Sequence, residues 1–471
     1  MGLDLRSNQR SQERAVPFGG YFQREVGDPT NQELMRSGAG SPLGEFMRRF
    51  WQPVCLSSQI YDLPLAIKIL GEDLVVFRDG ENRIGLVHRH CSHRGASLEF
   101  GIVEHRGIRC CYHGWLYDID GTLLETPGEP ENVRLKQRIC HGAYPAFERD
   151  GLVFAYMGPP ELKPPFEINE IYDRPGNKMV PLSNFFPCNW LQVQENVPDS
   201  IHTAIFHNGI GNAGLRHNAS VNSLPAAWAS MPVLEFRETD GGRGMVAVAT
   251  RRVDLNVWVR INHCTLPSNI DIGTLFGDGQ TEVYFQRASF NRWVVPHDDE
   301  SSSVFGWRHF NTFVDSGKGD PEKCGVEGSD FLGGQVGGRP YSEAQRNPGD
   351  WETIVSQRTM ARHSLEHLGT TDAGVAMWRS LVSKAIQGKT AAVLPKPLSG
   401  DAFYTQPQRS YCQDTIISIP PRAGSEEDKK LLQEVSKRVT DIVLSGDEFP
   451  AGSDRDELIV KRLRALKEEY L

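Results

Sequence analysis

The chain has 471 residues, 24% of them charged, and its net charge of −9 is distributed without a basic block. This pattern indicates neither a nucleic-acid partner nor an anionic membrane surface, and the absence of an apolar run of about eighteen residues argues against a membrane span. The first residues lack the apolar core of a signal peptide, and nine cysteines are few for this length. We therefore expect free thiols, a cytosolic location and, from the length, two domains.

The predicted elements change character near residues 45 and 160. Residues 1–45 are polar and glycine-rich and form an N-terminal arm with short helices predicted near 31–37 and from 42. Over residues 46–160, short strand-like runs alternate with Gly, Asp-Gly or Pro, which predicts an antiparallel β domain. The proline-rich stretch after Gly158 is typical of a linker.

Helix and strand signals are mixed over residues 161–420, so the predicted fold class is α+β. One helix is predicted over Asn189–Asn208 with a break at Pro198, and one long helix over residues 350–387. Strands are predicted for the runs MVAVATRRV, NVWVRINHC, TEVYFQRAS and SSVFGWRHF. Residues 421–471 form a C-terminal helical extension, for which packing or subunit contact is favoured over an interaction tail.

Two cysteines and two histidines lie on two predicted hairpin tips of the first domain, as Cys91-x-His93 and Cys110-x-x-His113. A structural zinc site would gather such ligands in one tetrahedron. A Rieske [2Fe–2S] cluster instead binds both cysteines to one iron and both histidines to the other. The flanking residues favour the cluster, because glycines allow close backbone approach and aromatic rings shield the sulfides. These flanking residues are Gly95, Gly114, Tyr112 and Trp115.

A second group of possible ligands lies in one predicted helix. Asp199 and His202 are three residues apart and share a face, whereas His202 and His207 are five apart. Both imidazoles could meet one ion if the helix bends after Pro198 or loosens locally. Two histidines and one carboxylate form the facial triad of non-haem Fe(II) oxygenases. Taken alone the spacing is weak evidence, since two histidines on the polar face of a helix are the commoner explanation.

Both groups lie in stretches that resemble the large subunits of Rieske ring-hydroxylating oxygenases, particularly those of the phthalate dioxygenase type. The shared stretches are GSPLGEFMRRFWQPV, LGEDLVVFRD, CSHRGASLEFG, CCYHGWLYDIDG and VFAYMGPP. The family usually has proline where Ser92 and Cys111 stand. Cys111 adds a second thiol beside the expected ligand, but only Cys110 has the two-residue gap to His113.

The resemblance implies a helix-grip (START-like) catalytic domain, with an antiparallel sheet and helices, behind the Rieske domain. It also implies two cofactors, one [2Fe–2S] cluster and one mononuclear Fe(II). The family's ENxxDxxHxxxxH stretch matches this chain through His207, so His202 and His207 are implied iron ligands. The third ligand is implied at the start of GDWETIVSQ, where Asp350 is favoured over Glu352.

Asp199 matches the family's bridging carboxylate. In the family, this group joins the cluster of one subunit to the iron of its neighbour in a ring of three. The implied assembly is therefore a homotrimer or a stacked pair of trimers. A surface aspartate or a helix N-cap is the alternative role for Asp199.

The resemblance implies an oxygenase component that uses O2 to hydroxylate an aromatic substrate, for which a carboxylate is favoured. No G-x-G-x-x-G follows a predicted strand, so electrons must come from a separate flavin and iron–sulfur reductase. Arg216, Arg251 and Arg252 are candidate carboxylate ligands, and strand alternation would point only one of the last two inward. Dihydroxylation, monooxygenation and O-demethylation of a methoxylated aromatic acid stay open.

Two other classes of protein also stay open from the residues alone. An electron-transfer Rieske protein would end near residue 160, and the remaining residues with their His-x4-His stretch argue against it. A zinc-stabilised binding module would be colourless and contain zinc. A brown protein with about three iron atoms per chain would exclude that module.

Overall fold

The computed structural model describes residues 32–130, 132–209, 226–274, 277–311, 337–346, 348–390, 394–397, 403–446 and 449–470. The candidate ligand Arg216 and most of the N-terminal arm lie outside these residues. Within the described part of the chain, no helix combines the length and apolar character needed to cross a bilayer.

The first part of the chain forms three small antiparallel sheets, β1-β11-β10, β2-β3-β4-β9 and β5-β6-β7-β8. The strands are β1 (Trp51–Leu56), β2 (Leu65–Ile69), β3 (Glu72–Arg78), β4 (Ile84–His88), β5 (Ile102–Val103), β6 (Ile108–Arg109), β7 (Leu116–Tyr117), β8 (Leu123–Glu125), β9 (Ala143–Tyr144), β10 (Ala146–Arg149) and β11 (Leu152–Tyr156). They are short because turn residues interrupt the sequence every few positions.

The second part is built on a nine-stranded antiparallel sheet in the order β12-β19-β18-β16-β15-β14-β13, in which β20 pairs with β15 and β17. Its strands are β12 (Lys178–Phe186), β13 (Val233–Thr239), β14 (Gly244–Val253), β15 (Asn256–Thr265), β16 (Asn269–Ile272), β17 (Val283–Arg287), β18 (Phe290–Pro296), β19 (Ser302–Phe310) and β20 (Gln413–Ser418). The four runs predicted as strands all lie in this sheet.

The α-helices are short in the middle of the chain and long at its end. They are α1 (Gln32–Met35), α2 (Pro42–Met47), α3 (Leu135–Arg138), α4 (Trp190–Glu195), α5 (Ile201–Ala204), α6 (Tyr341–Arg346), α7 (Asp350–Val355), α8 (Ala373–Ile386), α9 (Ser425–Ser445) and α10 (Ser453–Glu468). Helix α2 begins after Ser41, whose side chain accepts a hydrogen bond from the Gly44 amide at 3.1 Å.

The large sheet is covered on both faces. Val248 and Val259 belong to an apolar cluster with residues of α9 and α10, which therefore cover the outer face. The opposite, inner face meets α8, because Phe236 of β13 contacts Gly374 of that helix. Since residues directly opposite in an antiparallel pair share a face, Ala247, the partner of Phe236, also points inward.

An aromatic core joins the two parts of the chain. Phe154 of β11 packs edge to face against Trp293 of β18, with ring centroids 5.5 Å apart, and lies 5.7 Å from the ring of Trp307. The short 3₁₀ helix Pro160–Leu162 connects the two parts. The domain boundaries 1–45, 46–160, 161–420 and 421–471 remain a proposal.

The single helix predicted over residues 350–387 is wrong. Helix α7 ends at Val355, and Arg358 then takes a positive φ of 81°, a conformation that cannot continue a right-handed helix. Two 3₁₀ turns follow before α8 begins at Ala373. The apolar spacing continued across these turns, so periodicity alone could not detect the break.

Candidate metal centres and a buried arginine

Two similar tight turns carry the Cys-x-His and Cys-x-x-His motifs. In the first, the Gly95 amide donates to the Cys91 carbonyl at 2.8 Å, and in the second, Gly114 donates to Cys110 at 3.1 Å. Both glycines have positive φ, 79° and 72°, which residues with a side chain adopt only at a cost. The glycines noted in the sequence are therefore needed to form these tips.

The turns bury two thiols and leave two imidazoles partly exposed. Cys91 and Cys110 are 4% and 3% exposed, and the rings of His93 and His113 meet edge to face with centroids 4.6 Å apart. Among the described residues, the buried Nδ1 of His93 has no hydrogen-bond partner. Two thiols on one side and two imidazoles on the other fit a Rieske cluster.

The neighbouring residues agree with this arrangement. Cys111 is exposed, whereas Cys110 is buried, so the geometry favours Cys110 as the ligand. Trp115 stacks on the ring of His93, with centroids 4.6 Å apart and planes 10° from parallel. This indole shields one side of the histidine from water.

The second set of candidate ligands depends on a broken helix. Helix α4 ends at Glu195, Pro198 follows in the break, and α5 resumes at Ile201. The chain then enters a π-helical turn over Ile205–Gly209. Because π-helical hydrogen bonds join residues five apart, this turn brings His202 and His207 to one face, with ring centroids 5.5 Å apart.

Helix α7 brings a carboxylate to these two histidines. Asp350 is 8% exposed, and its Oδ1 lies 3.4 Å from His207 Nε2 and 3.9 Å from His202 Nε2. One ligand atom from each residue lies within 4.8 Å of the other two. Glu352, the competing carboxylate, instead accepts a hydrogen bond from the Gly349 amide at 2.7 Å and caps α7.

The charges around this group favour an ionised carboxylate. Burial alone would raise the pKa of Asp350, but His207, His202 and Arg292 together lower it to about 2. Asp199 lies on the other side of His202, with Oδ2 3.7 Å from Nδ1. For Asp199 as well, burial alone would raise the pKa, but His202 lowers it, and the net effect is a lowered pKa. Two imidazoles and a charged carboxylate fit a ferrous ion.

A buried arginine on the inner face of the large sheet contacts α5, the iron-site helix, which carries His202. Arg251 is fully buried, and its Nη2 donates to Thr203 Oγ1 at 2.7 Å, one residue after His202. Within the described part of the chain, its Nε and Nη1 have no hydrogen-bond partner. Burial and the charge of Arg260 lower the pKa of Arg251 to about 9. Trp228 lies beneath its guanidinium, 5.3 Å from the ring centroid.

Arg260, on the same inner face, is neutralised. Its Nη1 donates to the Thr274 carbonyl at 2.7 Å and lies 3.2 Å from Asp414 Oδ2. Asp414 is fully buried and also accepts from Trp258 Nε1 at 2.7 Å. Arg260 is thus paired with a buried carboxylate, whereas Nε and Nη1 of Arg251 have no hydrogen-bond partner among the described residues.

Arg252 points to the outer face, as alternation along a strand requires. It forms a bidentate ion pair with Asp428 of α9, at 3.0 and 2.6 Å, and donates to the Ile419 carbonyl. The side chain of Arg252 therefore links the C-terminal extension to the outer face of the sheet, whereas that of Arg251 lies on the inner face. Arg260, Arg292 and Asp414 are not among the residues predicted from the sequence, in which each is marked only as a charged residue within an apolar strand.

Comparison with known proteins supports the class that this geometry indicates. The Rieske [2Fe-2S] domain family matches residues 50–140. The chain is 46% identical over 454 residues to the tert-butanol monooxygenase / tert-amyl alcohol desaturase oxygenase subunit of Aquincola tertiaricarbonis, covering 95% of this chain and 96% of that protein. It is 38% identical over 299 residues to the phthalate 4,5-dioxygenase oxygenase subunit of Pseudomonas putida, covering 59% and 66%.

The fold is also found in solved structures. Dicamba monooxygenase bound to dicamba aligns with a TM-score of 0.53 at 18% identity, over 74% of this chain and 99% of that one. Fold and site together define an iron-dependent oxygenase with a Rieske domain. Within that class, the chain belongs to the large subunits of Rieske non-haem iron oxygenases of the phthalate dioxygenase type. It is an oxidoreductase whose cofactors are a [2Fe–2S] cluster and a mononuclear iron.

Proposed function

We propose that this oxygenase subunit hydroxylates an aromatic monocarboxylate with O2 and with electrons from a separate flavin and iron–sulfur reductase. The observation that carries the proposal is the buried Arg251, whose Nε and Nη1 have no partner among the described residues. A buried guanidinium with two unused N–H donors is suited to a bidentate carboxylate. The aromatic rings of Trp228 and Trp258 near its guanidinium suit a planar ligand.

The metal ligands are part of the same proposal. We assign the cluster to Cys91, His93, Cys110 and His113, and the mononuclear iron to His202, His207 and Asp350. When bound, the cluster stores an electron and the mononuclear iron activates O2.

Asp199 is proposed to connect two subunits. Its side chain is 36% exposed, its Oδ2 lies 3.7 Å from His202 Nδ1, and its Oδ1 accepts a hydrogen bond from the Ile201 amide at 3.2 Å. The exposed part of this carboxylate could accept a further N–H bond from a cluster histidine of a neighbouring subunit. This role requires a ring of chains, and we propose a homotrimer or a stacked pair of trimers. The cytosolic location stays a prediction.

A neutral substrate is the second candidate. The oxygenase subunit that is 46% identical to this chain is named for tert-butanol and tert-amyl alcohol, which carry no carboxylate. A tertiary hydroxyl could accept one hydrogen bond from Arg251, but it would leave the positive charge unpaired. Burying an unpaired charge is costly, and for this reason the structure favours an anionic substrate.

A substrate screen with a phthalate-type reductase tests the proposal. Benzoates, methoxylated aromatic acids, phthalate and the two tertiary alcohols would be compared by O2 uptake and by incorporation of ¹⁸O into product. We expect turnover of monocarboxylates, and release of formaldehyde would identify O-demethylation. Turnover of the alcohols with none of any acid would contradict the proposal.

Substitution of the arginine separates the two candidates. Arg251→Gln removes the charge and should lower kcat/KM for an acid by roughly 10- to 100-fold, mainly by raising KM. Arg252→Gln is the matched control, because that side chain faces the outer helices, and it should retain kcat/KM once folding is verified. Equal activity of Arg251→Gln and the unmodified enzyme on every acid would exclude carboxylate binding by Arg251.

A further inference from the structure

A buried histidine outside both motifs lies beside the cluster tips. His141 is 3% exposed, and its ring centroid is 4.6 Å from that of Tyr117. Its Nε2 lies 2.7 Å from the carbonyl oxygen of His88, and its Nδ1 lies 2.7 Å from Ser92 Oγ. Ser92 is the residue between the candidate ligands Cys91 and His93, where the family usually has proline.

These two contacts determine the direction of each hydrogen bond. A carbonyl oxygen can only accept, so Nε2 of His141 must carry the proton that it donates to His88. Burial lowers the pKa of His141 and favours its neutral form, in which Nδ1 is an acceptor. The hydroxyl of Ser92 must therefore donate to His141, and its proton points away from the cluster tips.

Tyr117 contacts the cluster ligand directly. Its hydroxyl oxygen is 3.0 Å from Cys91 Sγ, and a thiolate ligand can only accept, so Tyr117 donates. Hydrogen bonds donated to the sulfur atoms of an iron–sulfur cluster disperse its negative charge and raise its reduction potential. A free Ser92 hydroxyl could donate to a cluster sulfur or to the Tyr117 oxygen. A hydrogen bond from Ser92 to the Tyr117 oxygen would polarise the Tyr117 hydroxyl and strengthen the bond that this hydroxyl donates to Cys91.

We propose that His141 is a positioning residue that keeps the Ser92 hydroxyl directed away from the cluster and thereby keeps the reduction potential low. This inference depends on the ligand assignment given above. It concerns the tuning of the cluster and is independent of the substrate. The Ser92 hydroxyl has one proton, and because it donates this proton to the imidazole of His141 it cannot donate it to a sulfur atom.

Four variants of the full-length protein test this role by redox titration of the cluster, followed by visible absorption. His141→Phe keeps a ring against Tyr117 but cannot accept from Ser92, and His141→Leu is a second variant of that kind. Both should shift the midpoint potential to more positive values. His141→Asn places an amide oxygen near the Nδ1 position and should keep the original potential. Ser92→Ala should change it little.

The double variant Ser92→Ala with His141→Phe is decisive, because removing the hydroxyl should abolish the positive shift. The same shift with and without Ser92 would overturn the proposal, as would an unchanged potential in both His141→Phe and His141→Leu. The EPR spectrum of the reduced cluster is recorded for every variant. If the unmodified protein showed no Rieske signal, the ligand assignment would fail, which is distinguishable from an intact cluster whose potential does not respond.

Discussion

At the scale of single residues, the surroundings of Asp350 keep its buried carboxylate in the charged form that would bind a cation. Its carboxylate faces two imidazoles, and the pKa-lowering effects of His207, His202 and Arg292 exceed the cost of burial. A carboxylate that is already ionised and oriented adds little reorganisation cost to metal binding. Glu352, two residues away, caps the same helix and cannot replace it without leaving that contact.

Asp350→Ala should remove the mononuclear iron and leave the cluster in place, because the two sites share no ligand. Iron content should fall from about three to about two atoms per chain, with the Rieske EPR signal retained. Inductively coupled plasma spectrometry and a labile-sulfide assay would measure the two sites separately. Glu352→Gln is the matched control and should keep about three atoms. An iron content of about three in Asp350→Ala would move the third ligand elsewhere.

Asp199→Asn should leave both metal sites loaded and lower turnover by about 10- to 100-fold, because the amide keeps the shape but loses the charge that orients His202. Product formation under steady-state conditions gives the loss, and iron analysis verifies loading. Reduction of the cluster by dithionite should be unaffected. Full product formation by this variant would show that the carboxylate is a surface or capping residue.

At the scale of elements, helix α8 packs against the break at Pro198 and stabilises it. Arg379 of α8 forms two hydrogen bonds with Glu195 at 2.5 and 2.7 Å, which ties the end of α4 to that helix. At the start of α8, Gly374 allows close approach, since a Cβ there would lie 2.7 Å from the Pro198 carbonyl oxygen. The position of α5 therefore depends on α8, whose Arg379 lies 184 residues after Glu195 in the chain.

Gly374→Ala should destabilise the protein by about 1–3 kcal/mol, because the added methyl group would meet Phe236 and Pro198 at 2.4 and 2.7 Å. It should also lower occupancy of the mononuclear iron, since the break would shift. Thermal unfolding and iron analysis measure these effects. Gly369→Ala is the control, because its nearest atom would be 3.7 Å away and its φ of −96° suits alanine. Equal unfolding midpoints for the two variants would contradict this account.

At the scale of the whole molecule, the C-terminal extension completes the fold. Helices α9 and α10 cover the outer face of the large sheet, and Arg455 of α10 is fully buried with Nη1 3.2 Å from Glu170. The extension therefore packs on its own chain. The proposed electron route between subunits instead depends on the surface near Asp199.

Mixed oligomers test that route. Asp350→Ala chains keep a cluster but lose the iron, whereas Cys91→Ser chains keep the iron site but lose the cluster. Each variant alone should be inactive. When the two are co-expressed with different tags and purified together, activity should return, with about one productive interface per mixed ring of three.

The control pairs each variant with a chain that carries both substitutions, and those mixtures should stay inactive. A folded, metal-loaded mixture of the two single variants without activity would show that electrons pass within one chain. Mass measurement on the same samples gives the number of chains, each of 52.7 kDa.

The local features of both sites followed from the sequence because they depend on near neighbours. The sequence predicted that Cys91, His93, Cys110 and His113 lie on two hairpin tips, and in the structure each motif lies on a tight turn. The five-residue spacing of the histidines predicted a bend or loosening after Pro198, and the π-helical turn is that loosening. In each case the geometry is determined within one turn of backbone.

Other features were decided only by tertiary structure. Asp350 and Glu352 start the same helix, so their positions alone could not separate them. The family resemblance favoured Asp350, and the packing of the helix brings that carboxylate to His207. Arg251 and Arg252 are adjacent, and the sheet decided that the first faces the iron-site helix and the second Asp428. Sequence periodicity reports which residues share a face, but contacts between distant segments decide what that face meets. For this reason the sequence determined the kind of chemistry, and the fold determined which residues are placed to perform it.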